Sequence, residues 1–248
     1  MTNPIDTSII IPCFNESESL PLLKEKLAPL ISTADFSIQL VFVDDGSTDS
    51  TNADILRIFS FYQNKKIIKH ERNSNLGAAV RTGILNSDGK YIAAIDADGS
   101  YNPVEIIHMR TILIDNTADC ISGSAVHPKA HFSVALPWYR HLLSHGVCTL
   151  YNLALFKFPH FWFYSYTAIF RLYRADVIKK IKFKSNTFMA MAEILCRLIL
   201  GNYKIIDIPS NSNYRVFGYS KAKIKRLIFE HLGLIFKIIF FRIIGKEI

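Results

Sequence analysis

Two acidic stretches hold residue types that can do chemistry. Asp96-Ala97-Asp98 sets two carboxylates one residue apart, after an apolar run and before Gly99 and Pro103. Hard oxygen donors at that spacing can hold a divalent cation, and the cation can hold a diphosphate. Such a pair also serves as ordinary turn residues; the apolar run before it and the glycine after it favour the binding role. Asp44-Asp45-Gly46-Ser47-Thr48-Asp49 crowds carboxylates that repel one another unless each meets a donor or a cation. A nucleoside supplies donors through ribose hydroxyls and base N–H groups. A turn followed by an Asp-capped helix accounts for Asp49 but not for the adjacent pair. A third stretch is cationic: Arg215 to Lys221 (RVFGYSK) gathers two cations, a hydroxyl and a glycine, a composition suited to an anion. His127/His131 and His141/His145 have a zinc-chelating spacing but lack the Glu of H-E-x-x-H, and read as structural histidines.

These residues need elements to hold them. Short apolar, β-branched runs predict strands over 8–12, 38–43, 66–70 and 91–95. Helical spacing predicts helices over 15–31, capped by Asn15 or Ser17, from Thr48 or Asp49 to about 62, and over 76–86. Continuous apolar strands alternating with helices predict an α/β domain on a mainly parallel, Rossmann-like sheet. Ligands of open sheets bind beyond the carboxyl ends of the strands. Asn15, Asp44, Asp45, Asp96 and Asp98 all fall there. Further on, helices are expected over 104–115, 175–181 and 189–200, and strands over 118–124, 170–173 and 203–208. The aromatic-rich stretch 125–170 shows no assignable period before its last residue.

At 248 residues, half apolar and 12% aromatic, the chain has the material for one medium domain with a large core. Disordered and collagen-like classes are excluded, and no repeat of solenoid length is present. The expected division is a domain over 1–220, with halves 1–103 and 104–220, and an appendage over 221–248. The net charge of +8 is uneven: residues 1–170 carry 13 Lys/Arg against 16 Asp/Glu, residues 171–248 carry 16 against 5. That asymmetry points to an anionic partner, whether nucleic acid, phosphorylated substrate or acidic membrane surface. Charges at Glu230, Lys237 and Arg242 interrupt the apolar tail too often for a membrane span of about 20 residues. A basic amphipathic helix at the membrane interface is expected; docking on the core, or on a second subunit of a homo-oligomer, is the alternative. Cys13, Cys120, Cys148 and Cys196 form no Cys-x-x-Cys pair and read as buried free thiols in a reducing compartment. The start, MTNPIDTS, lacks the basic and apolar regions of a signal peptide, so a cytoplasmic location is expected.

In order along the chain, Ile11-Pro12-Cys13-Phe14-Asn15-Glu16, VDDGSTDST (43–51), NLGAAVRTGI (75–84) and DADGSYNP (96–103) resemble the family-two inverting glycosyltransferases of GT-A fold. Within that family the chain looks most like the polyprenyl-phosphate sugar synthases of the dolichyl-phosphate mannose synthase type. The likeness spans about residues 7–225 and is specific in the first 105 and near 205–221. It implies that Pro12, Asn15, Glu16, Asp44 and Asp45 line a nucleoside pocket. Asp96 and Asp98, with Ala97 between them, would hold Mg²⁺ or Mn²⁺ against the diphosphate of a UDP- or GDP-sugar. Arg81 would sit near the donor phosphates, unless it is a solvated helix arginine. Arg140, Ser144, Arg215, Ser220 and Lys221 match acceptor-phosphate positions, and Glu193 matches an acidic position on the acceptor side or is a satisfied helix carboxylate. Two departures stand out: Ser100 replaces a common Gln ligand, and SYTAIFR (165–171) keeps only Phe170 and Arg171 of a usual Asp-x-x-Ser-Gly-Phe-Arg.

The reaction so implied is a metal-dependent, inverting transfer of one sugar to a polyprenyl phosphate at the cytoplasmic membrane face, with no nucleic-acid partner. A phosphate acceptor is already anionic and attacks without a strong base; a glycan or protein hydroxyl would need one, and Glu193 is the candidate. Rival classes fare worse. IDADGS resembles the nucleophile loop of haloacid-dehalogenase phosphatases, but 95 residues precede Asp96 and the second acidic pair lies upstream. No G-x-G-x-x-G supports a dinucleotide enzyme. A non-enzymatic membrane scaffold derived from a transferase would need neither Asp96 nor Asp98.

Overall fold

Ile9 and Ile11 point to one side of the first strand and Ile10 to the other, and all three are fully buried. A strand apolar on both faces belongs in a sheet covered on both sides by helices. The computed structural model describes residues 4–130, 138–155, 162–211 and 224–244. Among these, the strands are β1 (Thr7–Cys13), β2 (Ile38–Asp44), β3 (Lys65–Lys69), β4 (Tyr91–Ala94), β5 (Cys120–Ser124), β6 (Arg171–Arg174) and β7 (Ile205–Pro209). They join in the order β3-β2-β1-β4-β6-β5-β7, and every neighbouring pair is parallel except the two that β6 makes. The chain runs outward from β1 to β3, then places β4 on the other side of β1. The switch point therefore lies between β1 and β4, and ligands of such sheets bind beyond the carboxyl ends of the strands there.

Helices α1 (Leu20–Thr33), α2 (Thr51–Ile58) and α4 (Glu105–Asp115) pack on the Ile9/Ile11 face. The other face takes α3 (Leu76–Leu85), α5 (Trp138–Ala154), the short α6 (Ala175–Ile178), α7 (Met189–Leu200) and α8 (Ile224–Ile244). In α1, Leu20, Leu23, Leu27 and Leu30 bury one stripe, as their spacing predicts. Helix α7 is buried nearly all round, and α8 closes over it and α5 through Leu234, Ile235 and Ile238. All four cysteines are buried and free of disulfides; burial pushes the Cys120 thiol up to about 12.

Three local expectations are corrected. The first helix starts at Leu20 rather than 15, because Asn15 adopts φ 52 and its side chain caps a different loop. The second stops at Ile58 rather than near 62: Phe59 turns in against Phe42 (4.7 Å between rings), and Tyr62 donates its hydroxyl to the Ile38 carbonyl at 2.8 Å. The unassigned stretch contains α5. Among its described side chains the buried ones are Cys148, Tyr151, Asn152 and Ala154, with no large aliphatic residue to betray an apolar period. Asn152 is wholly buried, accepting the Tyr166 hydroxyl at 3.0 Å and donating to the Phe163 carbonyl at 3.1 Å.

One face of the tail helix docks on the core, and the opposite face stays exposed. His231 lies 2.9 Å from the Tyr151 hydroxyl, and Thr187 donates to Glu230 at 2.9 Å. Phe229 and Phe236 are 75% and 70% exposed, with Leu232 and Phe240 beside them. Among the described residues no helix is long and apolar enough to cross a membrane.

Candidate active site

The loops leaving β1 and β2 are laced together. Asn15, half a turn beyond β1, donates its backbone N–H to Ser47 Oγ (3.0 Å) and accepts the Thr48 N–H on Oδ1 (2.8 Å). The Glu16 N–H donates to Thr51 Oγ1 (2.8 Å), and Glu16 Oε2 accepts the Ser19 hydroxyl (2.8 Å). Ser17 and Ser50 both donate to Asp54 Oδ2, at 2.7 and 2.6 Å. Those bonds, with Arg57, hold Asp54 down at about 2. Pro12 lies partly exposed at the end of β1. The first turn of the second loop is tightened by Asp44, whose Oδ1 accepts the Ser47 N–H at 2.9 Å while Oδ2 is buried with no hydrogen-bond partner among the described residues. Gly46 takes φ +70 there.

The loop leaving β4 carries the other carboxylates. Asp96 is partly exposed, and Asp98 is buried, only 9% exposed, with Oδ1 accepting the Ser100 N–H at 2.9 Å. Ala97 faces the core between sheet and helices. Gly99 turns the chain at φ +69, and Lys26 of α1 donates to its carbonyl, tying the loop to the helix that follows β1. Among the described residues no three His, Cys, Asp or Glu side chains converge. A small hard cation suits this donor set nonetheless: Mg²⁺ usually takes one or two carboxylates and completes its shell with substrate phosphates and water.

Past this loop, Tyr101 stacks on Phe170 (4.8 Å between rings), and Glu105 opens α4. Glu105 Oε2 accepts the Ser210 hydroxyl at 2.6 Å; burial raises its carboxyl against that bond. Ser210 also donates its N–H to the Ser124 carbonyl at 3.1 Å. The exit of β7 is thereby fastened beside the Asp96–Asp98 loop. Arg215, Ser220 and Lys221 follow that exit in sequence and lie outside the described residues. Arg140 and Ser144 fall one turn apart on α5; their side chains also lie outside the described set.

Two expected site residues have other work. Arg81 donates to Asn186 Oδ1 (2.8 Å) and to the Phe183 and Ser185 carbonyls (3.0 and 3.1 Å), and lies 4.6 Å over the Phe183 ring. These contacts clamp α3 to the segment before α7. Glu193 accepts the Lys184 and Ser185 N–H groups (3.0 and 2.8 Å) and pairs with Arg197 at 2.9 Å. Both its oxygens are engaged, which anchors the 184–185 turn and fits the second of its two readings, a satisfied helix carboxylate.

Residues that the sequence left unmarked also enter the site. His70, the first residue after β3, contacts Asp45, and the Ser74 N–H donates to Asp45 Oδ1 at 3.0 Å. Their signal was positional: each lies just past a strand's carboxyl end, on the side where the Asp pairs stand.

A sheet of this order, with acidic loops at its switch point, is the architecture of the GT-A fold. The model of glycosyl transferase family 2 matches residues 8–182, and the chain belongs to that family. It is 30% identical over 237 residues to the dolichol-phosphate mannosyltransferase of Pyrococcus furiosus, covering 93% of this chain and 63% of that relative. It is 28% identical over 222 residues to the polyprenol monophosphomannose synthase of Mycolicibacterium smegmatis, covering 87% of this chain and 80% of that protein. The fold is shared with glucosyl-3-phosphoglycerate synthase of Mycobacterium tuberculosis, solved with Mn²⁺, UDP and glucosyl-3-phosphoglycerate. That match has a TM-score of 0.66 at 13% identity, over 93% of this chain and 77% of the other.

Proposed function

We propose that the protein transfers a single sugar from a nucleotide-sugar to a polyprenyl phosphate, with inversion, at the cytoplasmic face of a membrane. The observation that carries this is the meeting of Asn15, Asp44/Asp45 and Asp96/Asp98 on neighbouring loops beyond β1, β2 and β4. The names of the two relatives supply the acceptor class, and the Mn²⁺ and UDP of the structural neighbour fit the donor class.

On this account Pro12, Asn15, Glu16 and Asp45 hold the nucleoside, and the bonds between the two loops keep that pocket in shape before the donor arrives. Asp96 and Asp98 would hold Mg²⁺ or Mn²⁺, which when bound offsets the charge growing on the leaving diphosphate. Arg140, Ser144, Arg215, Ser220 and Lys221 are assigned to the acceptor phosphate, which the basic C-terminal third draws in. That phosphate attacks the anomeric carbon from the side opposite the diphosphate. No side chain need take a proton, which agrees with Glu193 being committed to the 184–185 turn. Helix α8 would rest its exposed phenylalanines on the bilayer, bringing the crevice to a lipid-borne acceptor. Buried free thiols suit a reducing compartment.

The test compares polyprenyl phosphate with the matching polyprenol, each offered with UDP- and GDP-sugars and Mn²⁺. Product is expected only with the phosphate, and Asp98→Asn is expected to lower turnover by roughly 10²–10³-fold. Equal transfer to the polyprenol, or to a glycan instead, would overturn the acceptor assignment.

A further inference from the structure

His70 is held at both ring nitrogens. Nδ1 lies 2.7 Å from Asp45 Oδ1, and Nε2 lies 2.9 Å from Thr82 Oγ1. The side chains of His70 and Asp45 are only 18% and 4% exposed. Three elements meet here: Asp45 follows β2, His70 follows β3, and Thr82 stands on α3. Asp45 Oδ1 also accepts the Ser74 N–H, so one carboxylate oxygen takes two contacts. Among the described residues the other, Oδ2, makes no hydrogen bond. A carboxylate pinned by one oxygen presents the other in a fixed direction, as residues behind a metal ligand fix that ligand.

We infer that His70 is a positioning residue for the donor: it pins Asp45 through Oδ1 so that Oδ2 is presented to an N–H or O–H of the nucleoside. This rests on the donor pocket proposed above. The hold does not depend on the charge of the ring. A neutral imidazole donates from Nδ1 to Asp45 and accepts the Thr82 hydroxyl on Nε2; a protonated one donates at both ends. A purely space-filling histidine would need neither contact, and an apolar side chain of like size would replace it. The arrangement instead places a polar ring between a pocket carboxylate and a helix hydroxyl. Orientation of Asp45 is thereby built into the packing of α3 against β2 and β3.

The experiment measures UDP and GDP binding to the full chain by calorimetry with Mn²⁺, for the parent, His70→Ala, His70→Asn and Asp45→Asn, with thermal unfolding of each. His70→Ala is expected to weaken binding of the preferred nucleotide roughly tenfold or more, the loss of one hydrogen bond to a charged group. In steady state the donor KM rises while kcat and the acceptor KM hold. His70→Asn keeps an N–H where Nδ1–H pointed and is expected to recover binding to within about threefold of the parent. Full affinity in His70→Ala, or equal losses in the Ala and Asn variants, would overturn the inference. If Asp45→Asn loses affinity and His70→Ala does not, the donor pocket stands and the role of His70 falls. If the parent binds neither nucleotide, the pocket and the inference fall together.

Discussion

A Cβ on Gly46 would lie 2.5 Å from the Arg72 carbonyl carbon, and the backbone there sits at φ +70. Both obstacles act at once, so Gly46→Ala is expected to cost roughly 1–3 kcal/mol and to shift the Asp44–Asp45 turn. Thermal unfolding reads the first effect and nucleotide binding the second. Asp207 offers a test with a sign. Burial pushes its carboxyl up to about 6, against the Tyr164 N–H bond and the nearby Arg171. Between the ordinary value of 3.8 and about 6 the folded chain binds more protons than the unfolded one. Stability therefore falls as pH rises through that window and stays lower above it. Asp207→Asn should remove the fall, giving roughly 1–3 kcal/mol more stability than the parent at neutral pH and no gain near pH 4. A gain independent of pH would contradict the assignment. At this scale the acidic residues were legible because their motifs are local. The partners of Arg81 and Glu193 in the 183–186 segment were not legible, because tertiary packing sets them and no spacing reveals it.

Helix α8 depends on a buried histidine. Burial lowers the His231 ring to about 4 from 6.5, although Glu230 works the other way. Between those values the unfolded chain binds more protons, so the stability His231 permits is present above about pH 6.5 and is lost as pH falls toward 4. Acid should loosen α8 from Tyr151 on α5, seen as faster amide exchange in both helices after correction for intrinsic rates. His231→Phe should blunt that response; an unchanged response would place the acid-sensitive group elsewhere. The same contrast explains what could be read of the elements. The strands were legible, most plainly β1 and β2, which bury both faces and read as unbroken apolar runs. Helix α5 was not, because it buries tyrosine, asparagine and cysteine through specific hydrogen bonds. Docking of α8 was legible only as one of two alternatives, since an amphipathic pattern does not name its partner.

The whole molecule sets its excess of basic residues in the same third of the chain as the exposed phenylalanines of α8. Anionic vesicles should bind the protein, and the pair Phe229→Ser with Phe236→Ser should weaken that binding by about tenfold or more, given about 1.5–3 kcal/mol per buried phenylalanine. Binding through charge alone would survive the pair and vanish in salt. One chemical event defines the proposed activity. The most direct measurement is the mass of the lipid formed when the full chain meets Mn²⁺, a nucleotide-sugar and a polyprenyl phosphate. The expected product has the acceptor mass plus one sugar and is absent with chelator and with Asp98→Ala. No glycosylated lipid with any donor, from a protein that binds its nucleotide, would contradict the proposed activity.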